Sequence, residues 1–146
     1  MNFFIDTNII INLLLKREVH YENSLKIFNH SAKQEIKLFT SSHAFVTTYY
    51  VCKKAIDESL LRSLLEDLLA FISVISVDES MIKRALTLVD IKDYEDAVQI
   101  CSAQSIKAID GIITRNQKDF KNSDIKAFTP DEALVMIKNK LNDLNP

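Results

Sequence analysis

Three aspartates stand where a chain can bring acids together: Asp6, Asp96 and Asp119. Asp6 interrupts an apolar start, NFFIDTNIIINLLL, at the close of its first apolar run. Asp96 falls in the first turn of a helix pattern, DYEDAVQICSAQ. Asn116 and Asp119 sit in the polar stretch TRNQKDF just beyond the apolar run 109–114. Magnesium and manganese take hard oxygen ligands, and magnesium keeps several waters around one or two carboxylates. Two such ions activate a water and stabilise the leaving oxygen of a phosphodiester. Converging carboxylates also repel one another, so a cation is their natural complement. The chemistry to expect from these residues is metal-assisted hydrolysis.

Each acid needs an element to carry it. Residues 2–5 read as a buried strand that feeds a helix through Asp6-Thr7-Asn8, with Thr7 or Asn8 available to cap it. The pattern then predicts a helix over 21–34, with Leu25, Ile27, Phe28 and Ala32 inward, and a strand over 36–40. Ser41 or Ser42 caps a helix over 44–55. A strongly apolar helix over 60–71 precedes a strand over 72–77, and Asp78 caps a helix to about residue 89 with Ala85, Leu86 and Leu88 inward. The Asp96 helix, the strand 109–114, a short strand 125–128 and a terminal helix opening at Pro130 with Thr129 as its cap complete the chain. Strands alternating with helices argue for a single α/β domain over 1–146. It is a three-layer α/β/α arrangement around a central, mainly parallel sheet. Ligands of open α/β sheets bind at the C-terminal edge of the strands, which is where Asp6 and Asp119 fall.

Composition narrows the classes. The chain has 146 residues, one glycine (Gly111) and two prolines, which disfavours a turn-rich β-sandwich and any glycine-cradled phosphate loop. A net charge of −2 offers no bulk attraction to nucleic acid, so such a partner must be met through a local basic patch or through metal ions. Arg115, with Lys118 and Lys121, is the candidate patch, since arginine presents a planar fork to phosphate. Cys52 and Cys101 are isolated in apolar helical patterns and read as core residues of a reduced cytosolic protein. The start has no basic leader region, and Asp6 cuts its apolar run well short of the ~20 residues a membrane span needs. A cytoplasmic location without membrane attachment is expected. His20 and His30 form no zinc-binding pattern, and His43 reads as a surface or capping residue. Asp93 and Glu95 read as dipole-favouring neighbours of Asp96 that point elsewhere, and Asp110 as a turn residue at the other end of the sheet. At least one of Tyr49 and Tyr50 reads as core, although both ring faces suit base stacking.

Taken together, FFIDTNIIINLLL, DYEDAVQICSAQ, ITRNQKDF and FTPDEAL resemble the PIN domain family, especially the bacterial VapC-type toxins of toxin–antitoxin pairs. The resemblance runs over nearly the whole chain, in order and spacing. It implies a metal-dependent ribonuclease directed at single-stranded RNA, with Mg2+ or Mn2+ held by a quartet of acids. It also implies a small antitoxin partner and a homodimer, for which exposed apolar positions on the helices 44–55 and 60–71 offer a surface. Carried over position by position, the first acid falls on Asp6 and the third on Asp96. The second falls on Thr47, where no acid stands, and the fourth on Asn116, with Asp119 the nearest carboxylate. Thr7, Asn8, Thr47, Thr114 and Arg115 are then the expected substrate-side residues. The chain's departure at Thr47 leaves a second expectation beside the first: a PIN scaffold that binds RNA or a protein without cutting. A phosphatase or receiver domain with an aspartate after its first strand is a third, which the triplet Asp6-Thr7-Asn8 fits poorly.

Overall fold

The structure is a computed structural model that describes residues 1–144. Five strands form one parallel sheet in the order β3 (Ile72–Ile75), β2 (Lys37–Ser41), β1 (Asn2–Ile5), β4 (Gly111–Ile113) and β5 (Ala127–Phe128). The first strand of the chain is therefore the central one. Its residues Phe3, Phe4 and Ile5 are wholly buried, as a strand covered on both faces requires. Alternation then divides them: Phe3 and Ile5 join one core, Phe4 the other.

The first core lies under α1 (Thr7–Leu14), α2 (Glu18–Ala32), α3 (Ser42–Cys52), α4 (Glu58–Leu68) and α7 (Pro130–Leu144). The second lies under α5 (Glu79–Leu86) and α6 (Tyr94–Gln104). Helices thus cover both faces of the sheet, giving the three-layer arrangement expected. Cys52 and Cys101 are buried free thiols, one in each core.

Boundaries differ from expectation where caps intervene. Asp57 accepts from the Ser59 amide and starts α4 before residue 60, while Ser41 accepts from Ala44 and starts α3 before residue 44. Strand 109–114 contracts to three residues and 72–77 to four. Two inward assignments fail. Leu86 ends α5 and is 63% exposed, its place in the core taken by Leu88 and Ile91, and Ala32 is exposed at the end of α2. At the terminal helix, Thr129 accepts from the Glu132 amide while Glu132 accepts from the Thr129 amide, a reciprocal capping box.

The lone glycine is a packing requirement. An ideal Cβ at Gly111 would lie 2.4 Å from Phe128 Cε2 and 2.9 Å from the Lys126 carbonyl oxygen. Its absence lets the Phe128 ring close over the strand, where it meets Phe3 edge to face with centroids 6.5 Å apart.

Candidate functional site

Parallel pairing of β1 with β4 aligns Ile5 with Ile113, so Asp6 and Thr114 leave the sheet side by side. The Asp6 amide donates to the Ile113 carbonyl at 2.9 Å, carrying the ladder one residue further. Asp6 occupies the N-cap position of α1, but its side chain makes no cap bond. Its Oδ2 instead accepts from the Thr114 hydroxyl at 2.6 Å and from Asn8 Nδ2 at 2.8 Å. Thr7 and Asn8 lie within the helix, so neither is its cap. Asp6 is a held carboxylate, not a helix stopper.

Thr114 is wholly buried and works twice, since its Oγ1 also accepts from the Asn116 amide at 3.0 Å. That bond turns the chain out of the sheet into the short 3-10 turn Gln117–Phe120, which carries Asp119. Phe120 anchors this turn in the second core, leaving Asp119 exposed above it.

From the opposite side comes the first turn of α6. Asp93 caps it by accepting from the Glu95 amide at 2.8 Å, and Asp96 follows one turn in, half-buried. The Asp96 carboxyl is pushed up to about 7, first by burial and then by the charges of Asp6, Asp93, Asp119 and Glu95. Those causes are themselves a map: four acids lie close enough to Asp96 to oppose its ionisation. Burial likewise pushes the Asp6 carboxyl above its usual range, with Thr114 and Gln99 opposing it. Glu95 does not point elsewhere, as its sequence position suggested. It faces the Thr7 hydroxyl at 3.5 Å, because the α6 N-terminus abuts that of α1.

Gln99 escaped the sequence reading. It is buried, its Oε1 accepts from the Thr7 amide at 3.3 Å, and its Nε2 reaches Asp96 Oδ1 at 3.4 Å. One side chain therefore ties the first turn of α1 to the acid of α6. Its spacing of three from Asp96, on one helix face, was the available signal.

A cleft of about 330 Å3 opens beside Asp96, lined by Asp90, Lys92, Asp93, Lys118, Asp119, Lys121 and Asn122. Asp119, not Asn116, shares it with Asp96; Asn116 is exposed outside it. Thr47 is half-buried on α3 and makes no hydrogen bond to Asp6 or Asp96 among the described residues. Arg115 is exposed, with its Nη1 donating to Asn12 Oδ1 at 3.1 Å. Lys118 and Lys121 line the cleft. His43 is exposed, and Asp110 accepts from the Asn2 amide at 2.7 Å at the far end of β1. Tyr49 is half-buried and donates to Glu58 at 2.8 Å, whereas Tyr50 is 57% exposed.

Among the described residues, no three His, Cys, Asp or Glu side chains close into a ready-made metal cage. The donor set nevertheless suits a hard cation that keeps most of its own waters. Asn8 Oδ1 is buried with no partner while its Nδ2 is committed to Asp6, so an acceptor stands unsatisfied beside the acids. A hydrated divalent ion would offer a positive charge to these acids and a donor to that oxygen.

No curated protein matches the chain in sequence. Among solved structures, VapBC2 from Rickettsia felis, bound to a DNA fragment from its promoter, superposes with a TM-score of 0.65 at 18% identity, covering 88% of this chain and 98% of that one. VapBC-1 from nontypeable Haemophilus influenzae gives 0.65 at 20% identity, over 90% of this chain and 99% of that one. Mycobacterium tuberculosis VapC20, a toxin that cleaves the sarcin-ricin loop, gives 0.61 at 16% identity, over 75% and 86%. At these identities the likeness is one of fold. The sequence itself carries the assignment further: a family model for the PIN domain matches residues 2–118, and the chain belongs to the PIN domain family.

Proposed function

We propose that this PIN domain is a divalent-metal-dependent endoribonuclease acting on single-stranded RNA, the toxin of a toxin–antitoxin pair. The observation that carries the reading is the convergence of Asp6 and Asp96 at the C-terminal sheet edge, where burial and then the surrounding acids push the Asp96 carboxyl up to about 7. Family membership and the VapBC complexes among the structural neighbours support it. Asp6, Asp96 and Asp119 would hold Mg2+ or Mn2+. When bound, such an ion polarises a phosphoryl oxygen and lowers the pKa of a coordinated water.

The chain's own residues do the positioning. Thr114 and Asn8 fix the Asp6 carboxylate, leaving it one favoured orientation, and Gln99 steadies Asp96 against the first turn of α1. Lys92, Lys118 and Lys121 ring the cleft and offset the negative charge that would otherwise repel an RNA strand. The test is cleavage of single-stranded RNA with manganese. Asp96→Asn is expected to lose activity by about a hundredfold or more; equal activity in the two proteins sinks the reading.

Thr47 favours a second reading, a PIN scaffold that binds RNA or protein without cutting. A threonine brings no charge where the family places an acid, so ion affinity falls. Calorimetry with no manganese uptake at millimolar concentration, beside retained RNA binding, would select it.

The partner follows the same logic. We take a small antitoxin as the natural companion, since the neighbouring structures are VapBC complexes. A second copy of this chain is the other expected partner. Val46 and Tyr50 on α3, Leu60 on α4 and Leu69 just after it are apolar side chains more than half exposed.

A further inference from the structure

Asn12 is the least expected residue of α1. It is wholly buried, yet its Nδ2 has no hydrogen-bond partner. An apolar side chain there would avoid that loss, so local folding alone does not account for an amide. What the amide does is hold an arginine. Its Oδ1 accepts from Arg115 Nη1 at 3.1 Å, across 103 residues of sequence. Separately, the Asn12 backbone oxygen accepts from the Arg17 backbone amide at 3.2 Å, which closes the α1–α2 turn. Arg17 follows Lys16, which holds a left-handed φ of 48°, so the α1–α2 turn is tightly bent where Arg17 emerges.

The charges of both arginines are felt at one side chain. His20, in the first turn of α2, is biased towards its neutral form by burial and then by the charges of Arg115 and Arg17. Both arginines are exposed, and neither forms an ion pair with an acid among the described residues. Two unpaired cations held beside a neutral imidazole repel each other and call for an anion, as the acids across the site call for a cation. Arg115 directly follows Thr114, the residue that fixes Asp6, so this basic flank begins where the acidic one ends.

We propose that Arg115, held on Asn12, and Arg17, on the adjoining α1–α2 turn, form a phosphate-binding subsite for the RNA strand beside the acids. Arg115 and Arg17 touch the backbone phosphate, and Asn12 is a positioning residue that aims the Arg115 fork. The assignment rests on the ribonucleic-acid reading above and adds to it the direction in which the strand leaves the acids, over the α1–α2 turn. Guanidinium forks suit phosphate oxygens in pairs, which separates this flank from the lysine-lined cleft, where contacts are point charges.

The experiment measures binding of a labelled, mixed-sequence single-stranded oligoribonucleotide by fluorescence anisotropy, with EDTA present and salt varied. Without divalent ions, cleavage and metal loading drop out of the readout. Arg115→Ala and Arg17→Ala are each expected to weaken binding about tenfold. Each should also lower the slope of log affinity against log salt by about 0.7, the share of one single-strand phosphate contact. Asn12→Leu is expected to fold at least as well as wild type, since it removes the orphaned donor, yet to bind RNA as poorly as Arg115→Ala. The double variant should be no worse than either. A merely structural Asn12 would move stability without moving the salt slope. If wild type binds and the arginine variants bind equally with the same slope, this subsite is wrong while the RNA reading stands. If wild type itself fails to bind, both fall. Should Asn12→Leu prove insoluble, the two arginine variants decide alone.

Discussion

At the scale of single residues, the site is a problem in holding like charges together. Asp96 binds its proton more tightly folded than unfolded, because its carboxyl lies near 7 in place of the ordinary 3.8. Between those values the folded state carries the extra proton, so stability falls as pH rises from about 4 to about 7 and then levels off. Melting in EDTA at several pH values checks this. Asp96→Asn should flatten that slope and raise Tm at pH 8 by roughly 2–4 °C, and an unchanged slope would refute the assignment. Thr114 poses the complementary case. Its hydroxyl serves both Asp6 and the Asn116 amide, so Thr114→Val strips a donor from a buried carboxylate. The expected result is a loss of about 1–3 kcal/mol in stability, seen in denaturant titration together with weaker manganese binding. Thr114→Ser should restore both.

At the scale of elements, the strands set the site by where they stop. β1 and β4 end in register, and each delivers its polar residue at the same level, Asp6 from one and Thr114 from the other. A slip of one residue would turn both side chains to the opposite face of the sheet. At the start of β4, Phe128 packs closely over Gly111. Gly111→Ala forces that ring away and is expected to destabilise the protein by about 1–3 kcal/mol. Denaturant unfolding measures that, and a neutral result would mean the ring moves freely. α6 completes the site from the other core, with Gln99 bridging to α1.

At the scale of the whole molecule, the two flanks of the acidic centre carry opposite demands. The apolar side chains left bare on α3 and α4 lie on the helical layer that also holds α1 and α2. Association through that face predicts a dimer in light scattering at micromolar concentration, shifted to monomer by Leu60→Asp with Tyr50→Asp. A wild type that stays monomeric at high concentration would remove the homodimer from consideration. No described helix is long and apolar enough to cross a membrane.

The alternation of apolar runs and amphipathic stretches determined the α/β/α fold by itself, because a parallel sheet covered on both faces needs continuous apolar strands with helices between them. The same reading put Asp6, Asp96 and Asp119 at element ends, since an acid that stops an apolar run has few other places to go. The resemblance to the PIN family placed the expected second acid on Thr47, where none stands. Tertiary structure alone decided how these groups act on one another. It showed the Asp6 carboxylate held by Thr114 and Asn8, and it moved Glu95 from bystander to neighbour of Thr7. It also set Asp119, and not Asn116, in the cleft with Asp96. Asn12 became visible only there, because a buried amide is marked by what it touches across about a hundred residues, and no local pattern records that distance.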